Sequence, residues 1–245
     1  MTKPAKAFTA QQRFSAIKII AISLYTDCRG GIFHMFFLVI ATALLLGGCS
    51  ALPDKPVRPT LYDFGPGSVT LEPATRQAPL PALALDDITT SGGALDNTAL
   101  LYRLAYTEIQ ALRPYANARW SNPPAQLVRQ RLREQLSLRR PVFNARDGVA
   151  INRSGGAVLP LRLRLELEEF SHLFTAPDAS VGVIRLRATL VEVTTAGEKF
   201  IGQRSVVVQR PAPTADAPGG VRALTAATDA AIEEIDVWLQ QNTPR

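Results

Sequence analysis

Leu159, Leu161, Leu163, Leu165 and Leu167 alternate with Pro160, Arg162, Arg164, Glu166 and Glu168. Successive side chains of a strand point to opposite faces, so this period of two predicts one leucine face and one salt-paired, wet face. The alternation fails at Glu168-Glu169-Phe170, where one extra residue, a bulge, would turn Phe170 inward. After a loop at Ala176-Pro177-Asp178, residues 181–193 read as the next strand. Thr195-Ala196-Gly197-Glu198 then turns the chain back into residues 199–209 as a hairpin. Residues 211–220 read as a loop. A helix is predicted over 221–241, with Val221, Leu224, Thr228, Ala231, Ile235 and Trp238 on one face.

The first half of the chain is patterned less regularly. Thr60-Leu61-Tyr62-Asp63-Phe64 reads as a strand stopped by Gly65-Pro66-Gly67, and residues 82–88, 98–104 and 115–120 are further strand candidates. Then the period changes. Asn122 is placed to cap a helix whose first turn holds Pro123 and Pro124, where a missing N–H costs nothing. Ala125, Val128, Leu132, Gln135 and Leu136 recur every three to four residues as far as Leu138, and Pro141 stops the run. Strands followed by covering helices predict an α+β fold: a two-layer sandwich, its sheet mostly antiparallel, with helices packed on one face.

The N-terminus has its own pattern. Residues 1–29 are basic, residues 36–46 are an apolar core, and Leu46-Gly47-Gly48-Cys49 follows. A basic region, a short apolar run and small residues at the cut are the parts of a secretory leader. An aliphatic residue and two small residues before cysteine form a lipobox. The small residues let a peptidase reach the backbone, and the thiol accepts diacylglycerol. Residues 1–48 are therefore expected to be a lipoprotein signal peptide and Cys49 the lipidation site. An ordinary leader cut before a chance cysteine is the rival. The apolar run is shorter than the roughly 20 residues a spanning helix needs. A longer helix starting at Ile17 would be interrupted by Thr26, Asp27, Arg29 and His34. Residues 49–59, with Pro53, Pro56 and Pro59, read as an extended tether. Residues 60–241 are left as the folded domain. Ser50 beside the cysteine favours the outer membrane over the inner one, since aspartate there is the usual retention signal. This places the domain in the cell envelope, facing the periplasm.

Composition narrows the function. The net charge of +6 and pI near 9.7 suggest a nucleic-acid binder. Yet Lys3, Lys6, Arg13, Lys18 and Arg29 precede Cys49 against Asp27 alone, so the mature chain is close to neutral. With the export signal, this excludes nucleic acid as a partner. The two cysteines are Cys28, in the leader, and Cys49, so the mature domain has no disulfide and no thiol chemistry. His172 is the one histidine outside the leader and reads as a loop residue at a strand's end, which removes histidine-based metal clusters and triads. Glu166, Glu168 and Glu169 suggest paired carboxylates, but alternation puts Glu166 and Glu168 on a solvated strand face, which speaks against a catalytic pair. Ser154-Gly155-Gly156 lacks phosphate-loop spacing. Trp120 and Trp238 read as core. No cofactor, metal or catalytic residue is expected. Arg129, Arg131, Arg133, Arg139 and Arg140 form a basic helix end. It is either a solvated face or a contact for an anionic headgroup or acidic partner, with Arg129, Arg133 and Arg140 the candidate partner contacts.

Several short pieces recur in a familiar order: Tyr62-Asp63-Phe64-Gly65, Leu101-Tyr102-Arg103, and Arg119-Trp120-Ser121 before a proline-started helix. Glu168-Glu169-Phe170, Val206-Val207-Val208, Val221-Arg222-Ala223-Leu224 and Trp238-Leu239 follow. In order and spacing from Thr60 to Leu239 the chain resembles the ABC-type transport auxiliary lipoprotein component family, the PqiC-like lipoproteins. The resemblance implies a non-catalytic auxiliary component of an ABC-type lipid or envelope transport system. Its partners would be a periplasmic MCE-like component with the transporter's permease and ATPase, and the membrane through the N-terminal lipid. An oligomer is compatible with this pattern. The alternative is an envelope lipoprotein that itself carries a lipid, in an apolar cavity between sheet and helices, or assists outer-membrane assembly.

Overall fold

The computed structural model describes residues 37, 57–67, 80–145, 159–194 and 196–243. The chain divides into Met1–Pro56, of which the exposed Phe37 alone is described, and Val57–Arg245. The rest of the leader, Cys49, the tether as far as Pro56 and the Ser154-Gly155-Gly156 loop lie outside the described residues. The folded elements run β1 (Thr60–Tyr62), β2 (Leu83–Leu85), β3 (Thr89–Thr90), β4 (Ala99–Leu104), β5 (Glu108–Trp120) and α1 (Pro124–Ser137). They continue β6 (Val142–Asn144), β7 (Leu161–Ala176), β8 (Ala179–Thr194), β9 (Gly197–Pro211) and α2 (Ala217–Asn242). No helix among the described residues is long and apolar enough to cross a membrane.

The alternating leucines build β7, and β7 organises the sheet. Along one edge it pairs antiparallel with β8, which pairs in turn with β9. Its other edge takes three short strands in succession, all parallel: Leu83 opposite Leu161, Thr89 opposite Glu166, and Tyr102 opposite His172. Outside these, β6 lies beside β2, β5 beside β4, and β1 beside the end of β5. The fold is α+β as expected, but the sheet is mixed rather than mostly antiparallel. Five pairings are parallel (β1 with β5, β2 with β6, and β2, β3 and β4 with β7), against β4–β5, β7–β8 and β8–β9 antiparallel. Turn residues announce hairpins, whereas parallel partners joined by long connections leave no local mark.

The register of β7 follows the sequence. Leu163, Leu165 and Leu167 are buried while Arg164 is exposed. Pairing slips between Leu167 opposite Leu186 and Glu169 opposite Arg185, and this bulge returns Phe170 to the core. There Phe170 meets Trp120 at a ring separation of 5.5 Å. On the outer face Arg162 and Arg164 share Asp86 and Glu198, and Arg187 takes Glu166 and Glu168.

Both helices feed the same core, α1 through Leu127, Val128, Leu132 and Leu136, and α2 through Leu224, Ala231, Ile235 and Trp238. Arg131 pairs with Asp229 at 2.6 Å and Arg140 with Asp236 at 2.8 Å, so the helices run side by side in the same direction. Two helix starts differ from expectation. Pro123, not Asn122, occupies the N-cap of α1, with no side-chain cap, and its carbonyl accepts from Gln126 and Leu127. Helix α2 begins at Ala217 rather than Val221, because Asp216 caps it by accepting from the Gly219 N–H at 2.8 Å. Its early turns lie very close to the sheet: a Cβ on Gly182 of β8 would stand 2.5 Å from the backbone of Ala223 and Leu224.

Candidate functional site

An open groove of about 970 Å³ lies beside α1. One wall is the helix stripe Gln126, Arg129, Gln130 and Arg133, positions three and four apart that share one helix face. Asp87, Thr89, Thr90 and Asp96 form the other wall, and Ile88, Leu95 and Ala125 supply apolar floor. This wall exists because β3 is only two residues long. Gly92 and Gly93 then lead into a turn at Gly93–Leu95 before β4 begins. Thr90 donates its hydroxyl to Asp96, which pins that turn.

Two of the three candidate arginines meet here. Arg129 is held in place, with Asp87 at 3.2 Å, Asn144 Oδ1 at 2.9 Å and the Asp86 carbonyl at 3.4 Å. Arg133 donates to the Val142 carbonyl at 3.2 Å and makes no ion pair among the described residues. Arg140 departs from the expected patch. Its side chain is 1% exposed and bonded to Asp236, so it joins α1 to α2 instead of facing a partner. Burial lowers its pKa, and Asp236 opposes that shift. No periodicity places it there, because Arg140 lies past the last helical turn, which ends at Ser137. The opposite wall, Asp87 to Thr90, was equally silent: Asp86-Asp87-Ile88-Thr89-Thr90 marks a strand only weakly.

His172 also departs from expectation. It lies within β7, fully buried, and its Nδ1 is 2.8 Å from the Tyr115 hydroxyl. Its ring packs against α2, where a Cβ on Gly220 would come within 2.5 Å of Nδ1. Nε2 is buried without a partner among the described residues. Burial pushes the imidazole down to about 4, against the opposing charge of Asp216. The same burial raises the Tyr115 phenol well above its ordinary range. The bulge explains the misreading, since it extends β7 through residues that otherwise read as its end. The neighbouring carboxylates are each engaged by arginine: Glu166 and Glu168 by Arg187, and Glu169 by Arg103 at 3.1 Å. Each of the three is thus held in an ion pair on the sheet.

The described residues thus combine a side-chain-filled core, a polar-walled groove beside α1 and a buried His172. The family model for the ABC-type transport auxiliary lipoprotein component matches residues 62–236, and the chain belongs to that family. Among solved structures it is similar to a Xanthomonas campestris protein of family DUF330. The two are 15% identical, with 74% of this chain and 94% of that chain covered and a TM-score of 0.57. A second, uncharacterized protein is 12% identical, with 74% and 99% covered and a TM-score of 0.50. At such identities the likeness is one of fold. No curated protein matches the sequence.

Proposed function

We propose that this lipoprotein is a non-catalytic adaptor of an ABC-type lipid or envelope transport system. It would be anchored through Cys49 and face the periplasm beside an MCE-like component and the transporter's permease and ATPase. The family match over residues 62–236 carries the reading. In this reading residues 1–48 are a cleaved leader, residues 49–59 a lipidated strap, and residues 60–241 the docking domain, with the outer membrane favoured by Ser50. Trp120, Phe170, Leu132 and Leu224 fill the space between sheet and helices, which supports an adaptor over a lipid carrier. Groove residues Arg129 and Arg133 are the candidate partner contacts. Arg140 is withdrawn from that set.

Two measurements test the reading. Cys49→Ala is expected to abolish fatty-acid labelling and leave the leader uncleaved; labelling that survives refutes the anchor. A pull-down of the full-length protein from membranes is expected to recover transporter subunits. Recovery of none, with a lipid co-purifying instead, would favour the carrier.

A further inference from the structure

Three connections of the domain gather at one end of the sheet. Leu104 of β4 stands opposite Phe174 of β7, Ala176 opposite Ala179 of β8, and Val181 opposite Pro211 of β9. The β4–β5 turn, the β7–β8 turn and the loop into α2 therefore lie together beyond the end of β7, where the Ala105 N–H donates to the Phe174 carbonyl. This end exposes Tyr106 and Ile109, each 46% exposed, and Pro177, Pro211 and Pro213 are exposed in the neighbouring connections. Its charges balance. Glu108 pairs with Arg113 at 3.3 Å, and Arg222 donates to Thr214, which donates to Asp216. Asp178 and Arg210 remain, one of each sign. Gly67, Leu80, Ala145 and Leu159, where the described residues break off, lie elsewhere: by Arg131, by Arg139, after β6 and before β7.

The chain enters the domain from the side of this end. Strand β1 runs parallel to β5 with Thr60 opposite Ala118, so it is entered from the side on which β5 begins, next to the β4–β5 turn. Through Ala99 opposite Arg119, and Tyr102 opposite His172, β1 is level with about Glu169. From there to Ala176 is roughly 23 Å of strand. Cys49 precedes Thr60 by a stretch that reaches roughly 34 Å when extended, as its prolines favour. Leu138, Val237 and Phe200 are also exposed, but they lie toward the start of β7, and a strap would have to reverse to bring lipid to them.

We infer that the turn end faces the membrane, with Tyr106 and Ile109 seated in the headgroup layer of the bilayer that holds Cys49. Tyrosine settles at such an interface because its ring is apolar and its hydroxyl stays wet, and isoleucine adds buried apolar area. The balanced charge suits a zwitterionic surface and needs no anionic lipid. In this pose the groove, whose Thr89 stands opposite Glu166, is held up to about 33 Å above the lipid. The inference rests on the Cys49 anchor, which is what brings this end to a bilayer.

Beyond Cys49 the mature chain has no cysteine, so single introduced thiols report position. Full-length protein carrying Tyr106→Cys, Ile109→Cys, Leu138→Cys or Phe200→Cys is expressed, purified with its acyl chains and labelled with a fluorophore. It is then reconstituted into vesicles of phosphatidylethanolamine and phosphatidylcholine that contain spin-labelled lipid. Quenching by the lipid is expected to be roughly threefold or more stronger at 106 and 109 than at 138 and 200, and unchanged by high salt or added phosphatidylglycerol. A label at Pro177→Cys is expected to be quenched as well, and to lose that quenching when Tyr106→Asp and Ile109→Asp are added, with thermal unfolding unmoved. The inference is overturned if 138 or 200 is quenched as strongly as 106, or if quenching appears only with phosphatidylglycerol. It is equally overturned if the Pro177→Cys label stays quenched beside the two aspartates. Fatty-acid labelling of each variant separates the two readings. Acylated protein whose turn end stays unquenched removes this contact and leaves the anchor standing, whereas protein that takes no fatty acid removes the anchor and the contact with it.

Discussion

Gly182→Ala should be among the most damaging small substitutions in the domain. The added methyl would stand 2.5 Å from the Ala223 carbonyl carbon and the Leu224 nitrogen, and 2.9 Å from the Ala223 oxygen. Carbon contacts are relaxed near 3.5–4.0 Å, so the helix must retreat from β8 by about 1 Å. These are backbone atoms, and no side-chain rotation relieves them. A gap of that size forfeits roughly a quarter to a half of each dispersion contact it opens. Val221, Leu224 and Thr228, all buried on this stretch of α2, would feel it. We expect a loss of about 3 kcal/mol, the upper part of the range for overpacked sites. For a domain of this size that lowers Tm by roughly 6–12 °C. Gly93→Ala is the control, since its Cβ meets nothing within 4 Å, and it should stay within about 0.5 kcal/mol. Urea unfolding of both variants beside the wild type measures the difference. Equal stability of the two would refute the proposed contact between helix and sheet.

Leu163→Ala should cost about 2–5 kcal/mol and Arg164→Ala under about 1, because one is buried and the other shares surface ion pairs; chemical denaturation would reveal an error of one residue in β7 if the order reversed. Asp236→Asn leaves Arg140 buried with its charge uncompensated and should cost on the order of 3 kcal/mol, with much of it recovered when Arg140→Met is added; failure of the second change to recover any stability would contradict a buried pair. His172 makes stability fall in acid. Its folded pKa is near 4 and its unfolded value about 6.5, so the unfolded chain binds the extra proton between them, and stability is full above about pH 6.5. At about 1.4 kcal/mol per pH unit, the loss by pH 4 is bounded near 3 kcal/mol. Unfolding free energies of wild type and His172→Gln measured from pH 7.5 to 4.5 should converge toward acid, and parallel curves would show that the imidazole is not sealed.

What could be read from the sequence was whatever one strand or helix decides locally. The leucine alternation fixed the face of β7, Glu168 marked its bulge, and Gly197 marked the β8–β9 turn. The apolar stripe from Val221 to Trp238 gave the inner face of α2. Its start was missed because Gly219 and Gly220 look like loop residues. In the fold they are what allows the first turn to sit against Thr214 and His172. Strand β5 extends back to Glu108 through residues that are mostly solvent-facing, so no alternation reports it. The groove was the least legible feature. It depends on β2, β3 and β4 each finding β7 across more than sixty residues, and no local pattern encodes which strand lies beside which.

That same arrangement sets an order of assembly. Strands β2, β3 and β4 leave the ribosome, or emerge from any export pore, well before residues 161–176. Until those residues arrive, the three strands have no shared neighbour to bond. Non-local pairings of this kind make folding slow, because a long loop must close before any contact rewards it. A chain interrupted at Asn144 would hold seven of the eleven elements and none of the sheet's central strand. The shared neighbour of β2, β3 and β4 is thus supplied only by the second half of the chain.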